Sequence, residues 1–254
     1  MRAALTISVG LVLVLAHQAT GLCGALVGRV RLVGNIPYQE YRRVVHRFSD
    51  ATQSRALLAQ RPGCERLAGG LGISGRGEVR NAIVYVQSLQ STRVPVRRSR
   101  RPHVVAVRTI RFEPRILAIQ SGERVAFLSR AREAVRIQSS SKALTLSFAL
   151  EKRGKRKIVK FHQPGFVSIG SSGRPWMEMH VRVHNHPFFT MTSERGIFRI
   201  EDIPEGRRRV SIWHGVLGSH TQEVHVPPQG LARVRFRVLI PGGLSERIRE
   251  CADL

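Results

Sequence analysis

Residues 196–213 read Gly-Ile-Phe-Arg-Ile-Glu-Asp-Ile-Pro-Glu-Gly-Arg-Arg-Arg-Val-Ser-Ile-Trp. Two runs, Gly196-Ile197-Phe198-Arg199-Ile200 and Arg209-Val210-Ser211-Ile212-Trp213, are rich in the β-branched and aromatic side chains that suit a half-buried pleated surface. Between them Pro204 and Gly206 supply the fixed and the permissive φ angles of a turn, and Gly196 closes another turn before the first run. The stretch therefore predicts strand, turn, strand. The same pattern recurs on both sides of it, at Ala82–Val86, Val104–Val107, Ile116–Ile119, Val125–Leu128, Leu144–Leu150, Ile158–Phe161, Phe166–Ile169, Val181–His184 and Val234–Val238. Short strands at this spacing, broken by Gly, Pro and charged turns, predict an all-β sandwich or barrel. Strands never alternate with helices, which argues against a parallel α/β fold.

At the N-terminal side, Leu26, Gly28, Val30 and Leu32 fall on one register of a strand and Arg29 and Arg31 on the other, until Gly34-Asn35-Ile36-Pro37 stops it. One short internal helix of about three turns is expected where Asp50 and Gln53 form a capping box before Ala56-Leu57-Leu58, ending ahead of Pro62-Gly63. A short C-terminal helix is expected from Ser245. Met1-Arg2, the apolar run Ala3–Ala16 and the small residues Ala19-Thr20-Gly21 have the form of a signal peptide over residues 1–21. The run is shorter than the ~20 residues that span a bilayer. The mature chain is thus expected to be periplasmic or secreted, with no transmembrane segment after leader cleavage.

Cys23, Cys64 and Cys251 lie far apart, so there is no Cys-x-x-Cys metal or redox motif, and export permits one disulfide whose pairing the sequence leaves open. Leu22 stands where a lipid-modified cysteine is usually preceded by a small residue, which argues against lipidation of Cys23.

Lys and Arg number 42 against 17 Asp and Glu, a formal net charge of +25. Lys142, Lys152, Lys155, Lys157 and Lys160 are the only lysines, so arginine carries nearly all of this charge. Such an excess attracts polyanions, and the guanidinium fork pairs with carboxylate or phosphate through two hydrogen bonds. Two clusters stand out as polyanion-contact candidates. Arg97, Arg98, Arg100 and Arg101 lie in a basic, linker-like stretch over 93–103, and Lys155, Arg156 and Lys157 lie in what reads as a hairpin turn.

The segment His186-Pro187-Phe188-Phe189-Thr190-Met191-Thr192, followed by Gly196–Ile200, Ile203-Pro204-Glu205-Gly206 and Ile212-Trp213-His214, resembles bacterial cupredoxin-like proteins fused to a carboxypeptidase-regulatory-like, transthyretin-like sandwich. These are of the methylamine-utilisation or plastocyanin-like type. The resemblance implies a Greek-key cupredoxin-like sandwich over 104–183 and a carboxypeptidase-regulatory-like sandwich over 184–240. An N-terminal β segment with helix over 22–92 precedes them, and a tail over 241–254 follows. It also implies where copper would sit. Phe161-His162-Gln163-Pro164-Gly165 and Pro175-Trp176-Met177 frame the family's ligand loop, which places Ser171 at the thiolate position, Arg174 at the imidazole position and Met177 at the weak axial position. The other histidine belongs within Arg132–Gln138, where there is none. Type 1 copper needs a thiolate and two imidazoles. No copper and no other cofactor are expected, and the altered loop, with a hydroxyl and a cation, is expected to take an anion.

His180, His184 and His186 share one parity and would emerge on one strand face, but Arg182 lies between them and opposes a cation. They form, with His162, Met177 and Met179, the ligand set of an alternative reading, a periplasmic electron-transfer or metal-handling protein. Gly70-Leu71-Gly72-Ile73-Ser74-Gly75 precedes a strand instead of joining a strand to a helix, so it is read as a loop and not a dinucleotide site. Ser74 and Ser172 lack the closing glycine of a nucleophile elbow, since Arg76 and Arg174 stand there. Glu194, Glu201 and Asp202 fall in turns, and Trp176 and Trp213 read as core or inter-domain anchors. The sequence thus leads to a non-catalytic exported binding or scaffold protein. Its expected partners are anionic polysaccharide, lipid headgroups or an acidic protein, with no specific nucleic acid.

Overall fold

The computed structural model describes residues 23–48, 62–87 and 98–253. The expected signal peptide, the helix expected from Asp50 and Arg97 of the basic stretch lie outside these residues. In chain order the elements are β1 (Cys23–Val33), α1 (Tyr38–Arg47), α2 (Pro62–Gly70), β2 (Ile83–Val86), β3 (His103–Val107), β4 (Phe112–Glu113), β5 (Ile116–Gln120), β6 (Arg124–Ser129), β7 (Val135–Ser141) and β8 (Leu144–Leu150). They continue with β9 (Arg156–Lys160), β10 (Gly165–Ser171), β11 (Arg174–His184), β12 (Phe189–Met191), β13 (Ile197–Pro204), β14 (Gly206–His214), β15 (Gly218–Val226), β16 (Leu231–Leu239) and α3 (Leu244–Ala252). The chain is all-β in its sheets, as the strand pattern predicts.

Four sheets build two sandwiches. In the first, the sheet β4-β3-β6-β9 faces the sheet β5-β11-β10-β7-β8. Val105, Val107, Val125 and Phe127 from one side and Ile137, Val167, Ile169, Met177, Met179 and Val181 from the other close its core. In the second, β13-β1-β16 faces β12-β2-β14-β15. Its core joins Leu26, Val30, Phe198, Val234 and Phe236 to Val84, Val86, Val210 and Ile212. Residues 22–92 and 184–240, divided in the sequence reading, therefore share sheets. β1 lies between β13 and β16, and β2 between β12 and β14. The first sandwich is inserted into the second.

Alternation fixes which way each strand faces. Along β16, Ala232, Val234, Phe236 and Val238 are buried while Leu231, Arg233, Arg235, Arg237 and Leu239 face out. A one-residue slip would drive three guanidinium groups into the core, so the register is strongly held.

The helices depart from expectation. There are two described internal helices, and α2 begins at Pro62, where a helix was expected to have ended. Proline is favoured in a first turn because its missing N–H has no intrahelical partner there. In α1 only Tyr41 and Val44 are buried, a two-residue apolar stripe hidden in sequence by arginine. Both helices pack on the second core with α3, and Cys64 of α2 is joined to Cys251 of α3 by a disulfide with Cα atoms 5.5 Å apart. This resolves the open pairing, and Cys23 lies exposed at the start of β1. No described helix is long and apolar enough to cross a membrane.

Candidate functional site

The positions of the expected copper loop form a tight β-hairpin. Ser171 and Arg174 are cross-strand neighbours on β10 and β11, joined by Ser172 and by Gly173, whose φ of 80° favours glycine. The Ser171 hydroxyl is buried without a hydrogen-bond partner. Arg174 turns away to the Thr109 carbonyl at 2.9 Å and the Glu133 carboxylate at 3.0 Å. Met177 points into the first core. The expected anion pocket of a hydroxyl and a cation is therefore not assembled, because the guanidinium is already neutralised by Glu133. The residues do not fit a blue-copper centre either, since the one soft ligand faces an apolar core and neither neighbour is a thiolate or an imidazole.

Beside the hairpin, β7 and β10 pair only at Gly170 with Gln138 and Ser171 with Ile137. Beyond that point the strands splay, and the Ser141 hydroxyl stands in for the missing ladder by accepting from the Ser168 N–H at 3.0 Å. The splay opens a cleft of about 560 Å³ with Ser139, Ser147, Ser168 and Ser171 in its lining.

His180 and His184 lie on the opposite face of β11 from Met177 and Met179, His186 lies just beyond the strand, and His162 is exposed between β9 and β10, so the alternative ligand set does not converge. His180 stacks on Phe166 and meets Trp213 edge-on at 5.4 Å. His184 stacks on Phe189 at 4.4 Å and contacts Tyr85 and His186. Arg182 sits over the Tyr85 ring at 5.0 Å. These contacts join the two sandwiches, and Trp176 packs against both cores. Burial, then the neighbouring His186 and Arg182, push the His184 imidazole down to about 3. Burial also lowers His180 and His186. Among the described residues no group of three or more His, Cys, Asp or Glu is placed to hold a metal ion.

Parts of the chain are similar to solved cupredoxins. A purple cupredoxin from Nitrosopumilus maritimus matches at 19% identity and a TM-score of 0.29, over 32% of this chain and 99% of that one. A point mutant of amicyanin in its reduced state matches at 18% identity and a TM-score of 0.30, over 40% of this chain and 98% of that one. A copper-containing nitrite reductase from Thermus scotoductus matches at 22% identity and a TM-score of 0.29, over 33% of this chain and 22% of that one. No family model matches the sequence, and no curated protein does.

The basic clusters lie at opposite ends of one sheet strand, β6. Arg98, Arg100 and Arg101 are exposed in a strap pinned to the start of β6. Buried Glu123 accepts from the Ser99 N–H, from the Gln120 N–H at 2.7 Å and from His103 at 3.2 Å, while Arg124 donates to the Arg100 carbonyl at 2.7 Å. Arg124 is in turn opposite Lys160 on β9, and Leu128 opposite Arg156. The two clusters, 54 positions apart at their nearest members Arg101 and Lys155, thus flank one sheet. The turn holding Lys155 is not a hairpin, however. It carries the chain from β8 in one sheet to β9 in the other, because apolar Leu150 and Phe161 on either side enter the same core from different layers.

A larger cationic face escaped the sequence reading. On the outer face of β13-β1-β16, parallel pairing sets Arg29 opposite Arg235 and Arg31 opposite Arg237, with Arg233 next in line. None of these five arginines has an ion pair among the described residues. Glu78, which bridges Arg31 in backbone register, receives a hydrogen bond from Ser74 at 3.0 Å instead. The signal was present in the strict alternation of Arg233, Arg235 and Arg237. What sequence lacked was the pairing with Arg29 and Arg31.

Proposed function

We propose that the chain is a non-catalytic exported binding protein whose cationic sheet faces hold an anionic surface ligand. The ladder of Arg29, Arg31, Arg233, Arg235 and Arg237 carries this reading. Like charges directly opposite each other in a sheet are destabilising. Two such pairs with no acid between them form an arrangement that an anion relieves, supplying two-point contacts to each guanidinium fork. The Cys64–Cys251 disulfide supports an oxidising location such as the periplasm or cell exterior.

Immobilised heparin tests the reading as a generic polyanion. The mature chain is expected to bind at low salt and elute as salt rises, since bound cations release counterions. Replacing Arg233, Arg235 and Arg237 with Gln is expected to lower the eluting salt concentration. Flow-through at low ionic strength would refute the proposal.

A further inference from the structure

The occupant of the arginine ladder is marked by what surrounds it. Among the described residues five large aliphatic side chains are exposed, Val104 at 59%, Ile158 at 40%, Ile197 at 42%, Leu231 at 37% and Leu239 at 73%. Three of them share the ladder's face. Leu231 and Leu239 close its two ends on β16, and Ile197 lies beside Arg29 through the β1–β13 pairing. The other two, Val104 and Ile158, lie in one cross-strand row of the β3-β6-β9 face, flanked by Arg124, Arg156 and Lys160. Every exposed large aliphatic among the described residues thus sits on a cationic sheet face.

Resting on the polyanion reading above, we infer that the outer face of β13-β1-β16 docks on an anionic phospholipid bilayer. A soluble acidic polymer pairs with the guanidinium groups but gains nothing from Leu239. A bilayer interface rewards both kinds of group. Phosphates lie at the depth of the arginine heads, the arginine stems lie along apolar surface, and aliphatic side chains enter the boundary of the acyl region. The shape suits a planar partner. From Leu231 to Leu239 the face runs eight residues, roughly 26 Å at ~3.3 Å per residue, and is three strands wide. Alternation puts the ladder's arginines on one side of the sheet, with alternate residues along a strand roughly 7 Å apart.

Co-flotation of the mature chain with vesicles tests this. Expected is binding to vesicles of phosphatidylcholine with one quarter phosphatidylglycerol and none to pure phosphatidylcholine. Each arginine near an anionic surface is worth about fivefold in partitioning, so replacing Arg233, Arg235 and Arg237 with Gln is expected to weaken binding on the order of a hundredfold. A variant with Ile197→Ser, Leu231→Ser and Leu239→Ser is expected to lose several-fold on vesicles while eluting from heparin at unchanged salt. The single variants Arg235→Gln and Leu239→Ser repeat each arm with the least disturbance of the fold, and the thermal transition of every variant is compared with the parent. If the parent elutes from heparin with salt but does not float with phosphatidylglycerol vesicles, the bilayer inference falls and the polyanion reading stands. If neither matrix retains it, both fall. Vesicle binding that ignores the three serine substitutions would also overturn docking by this face.

Discussion

Single residues on the ladder carry a conflict between stability and binding. Arg29 faces Arg235 across the β1–β16 pair, and removing the repulsion should stabilise the fold. Arg235→Glu replaces a like-charge pair with an opposite one. The expected gain is of order 1 kcal/mol, or about 2–4 °C in melting temperature for a domain of this size. The same variant is expected to bind heparin more weakly, which a melting curve and an elution profile on one preparation would show together. A second residue-scale prediction concerns acid. His184 is held down to about 3 and His214, buried and accepting the Val216 and Leu217 N–H groups at its Nδ1, to about 4. Unfolded histidine titrates near 6.5. Below that value the unfolded chain takes up protons that the folded chain refuses, so stability is full above pH ~6.5 and falls as pH drops towards 4 and 3. The slope approaches ~1.4 kcal/mol per pH unit for each histidine. His184→Phe keeps a ring against Phe189 and Tyr85 and is expected to flatten the fall between pH 6 and 4 in urea titrations. An unchanged slope would place the acid sensitivity elsewhere.

At the scale of elements, most strands were legible because alternation and turn residues are local properties, while β4, β7, β12 and β15 were not expected. Leu144–Leu150 was read to the residue, and β16 differs only at its ends. Partners were not legible. β1 joins β16 by parallel pairing across some two hundred residues of chain, and nothing in either strand specifies that distance. The geometry around the expected copper loop was not legible, because the hydrogen bond from Arg174 to Glu133 depends on β11 lying next to the turn before β7. Both described internal helices escaped because their apolar stripes are short and lean on a core made by other elements. The disulfide supplies what those helices lack. Cys64 and Cys251 are separated by 187 residues, so the bond removes much of the freedom of the unfolded chain, at most ~5 kcal/mol by loop entropy. Cys64→Ser with Cys251→Ser is expected to cost about 2–5 kcal/mol in denaturant unfolding. A cost near zero would mean that α2 and α3 dock equally well without the bond.

The whole molecule is a stack of four sheets. β4-β3-β6-β9 and β13-β1-β16 are the outer layers, while the two inner sheets meet through His180, Trp213, His184, Tyr85 and Phe189. Sheets pack about 10 Å apart, so the outer faces stand roughly 30 Å from each other and look in opposite directions. Both are cationic, and both expose aliphatic side chains. A chain with one such face coats an anionic surface, whereas a chain with two can join a pair of surfaces. Where the phosphatidylglycerol vesicles are in excess of sites on any one membrane, light scattering is therefore expected to rise as vesicles cluster, and to fall again when salt is added. The two faces separate cleanly by mutation. Arg156→Gln with Lys160→Gln weakens only the β3-β6-β9 face, so it should abolish clustering while leaving co-flotation through the ladder nearly intact. Replacing Arg233, Arg235 and Arg237 should remove most of both. If the Arg156 and Lys160 changes leave the scattering unaltered, the stack engages a membrane from one end alone, and Val104 and Ile158 need another explanation.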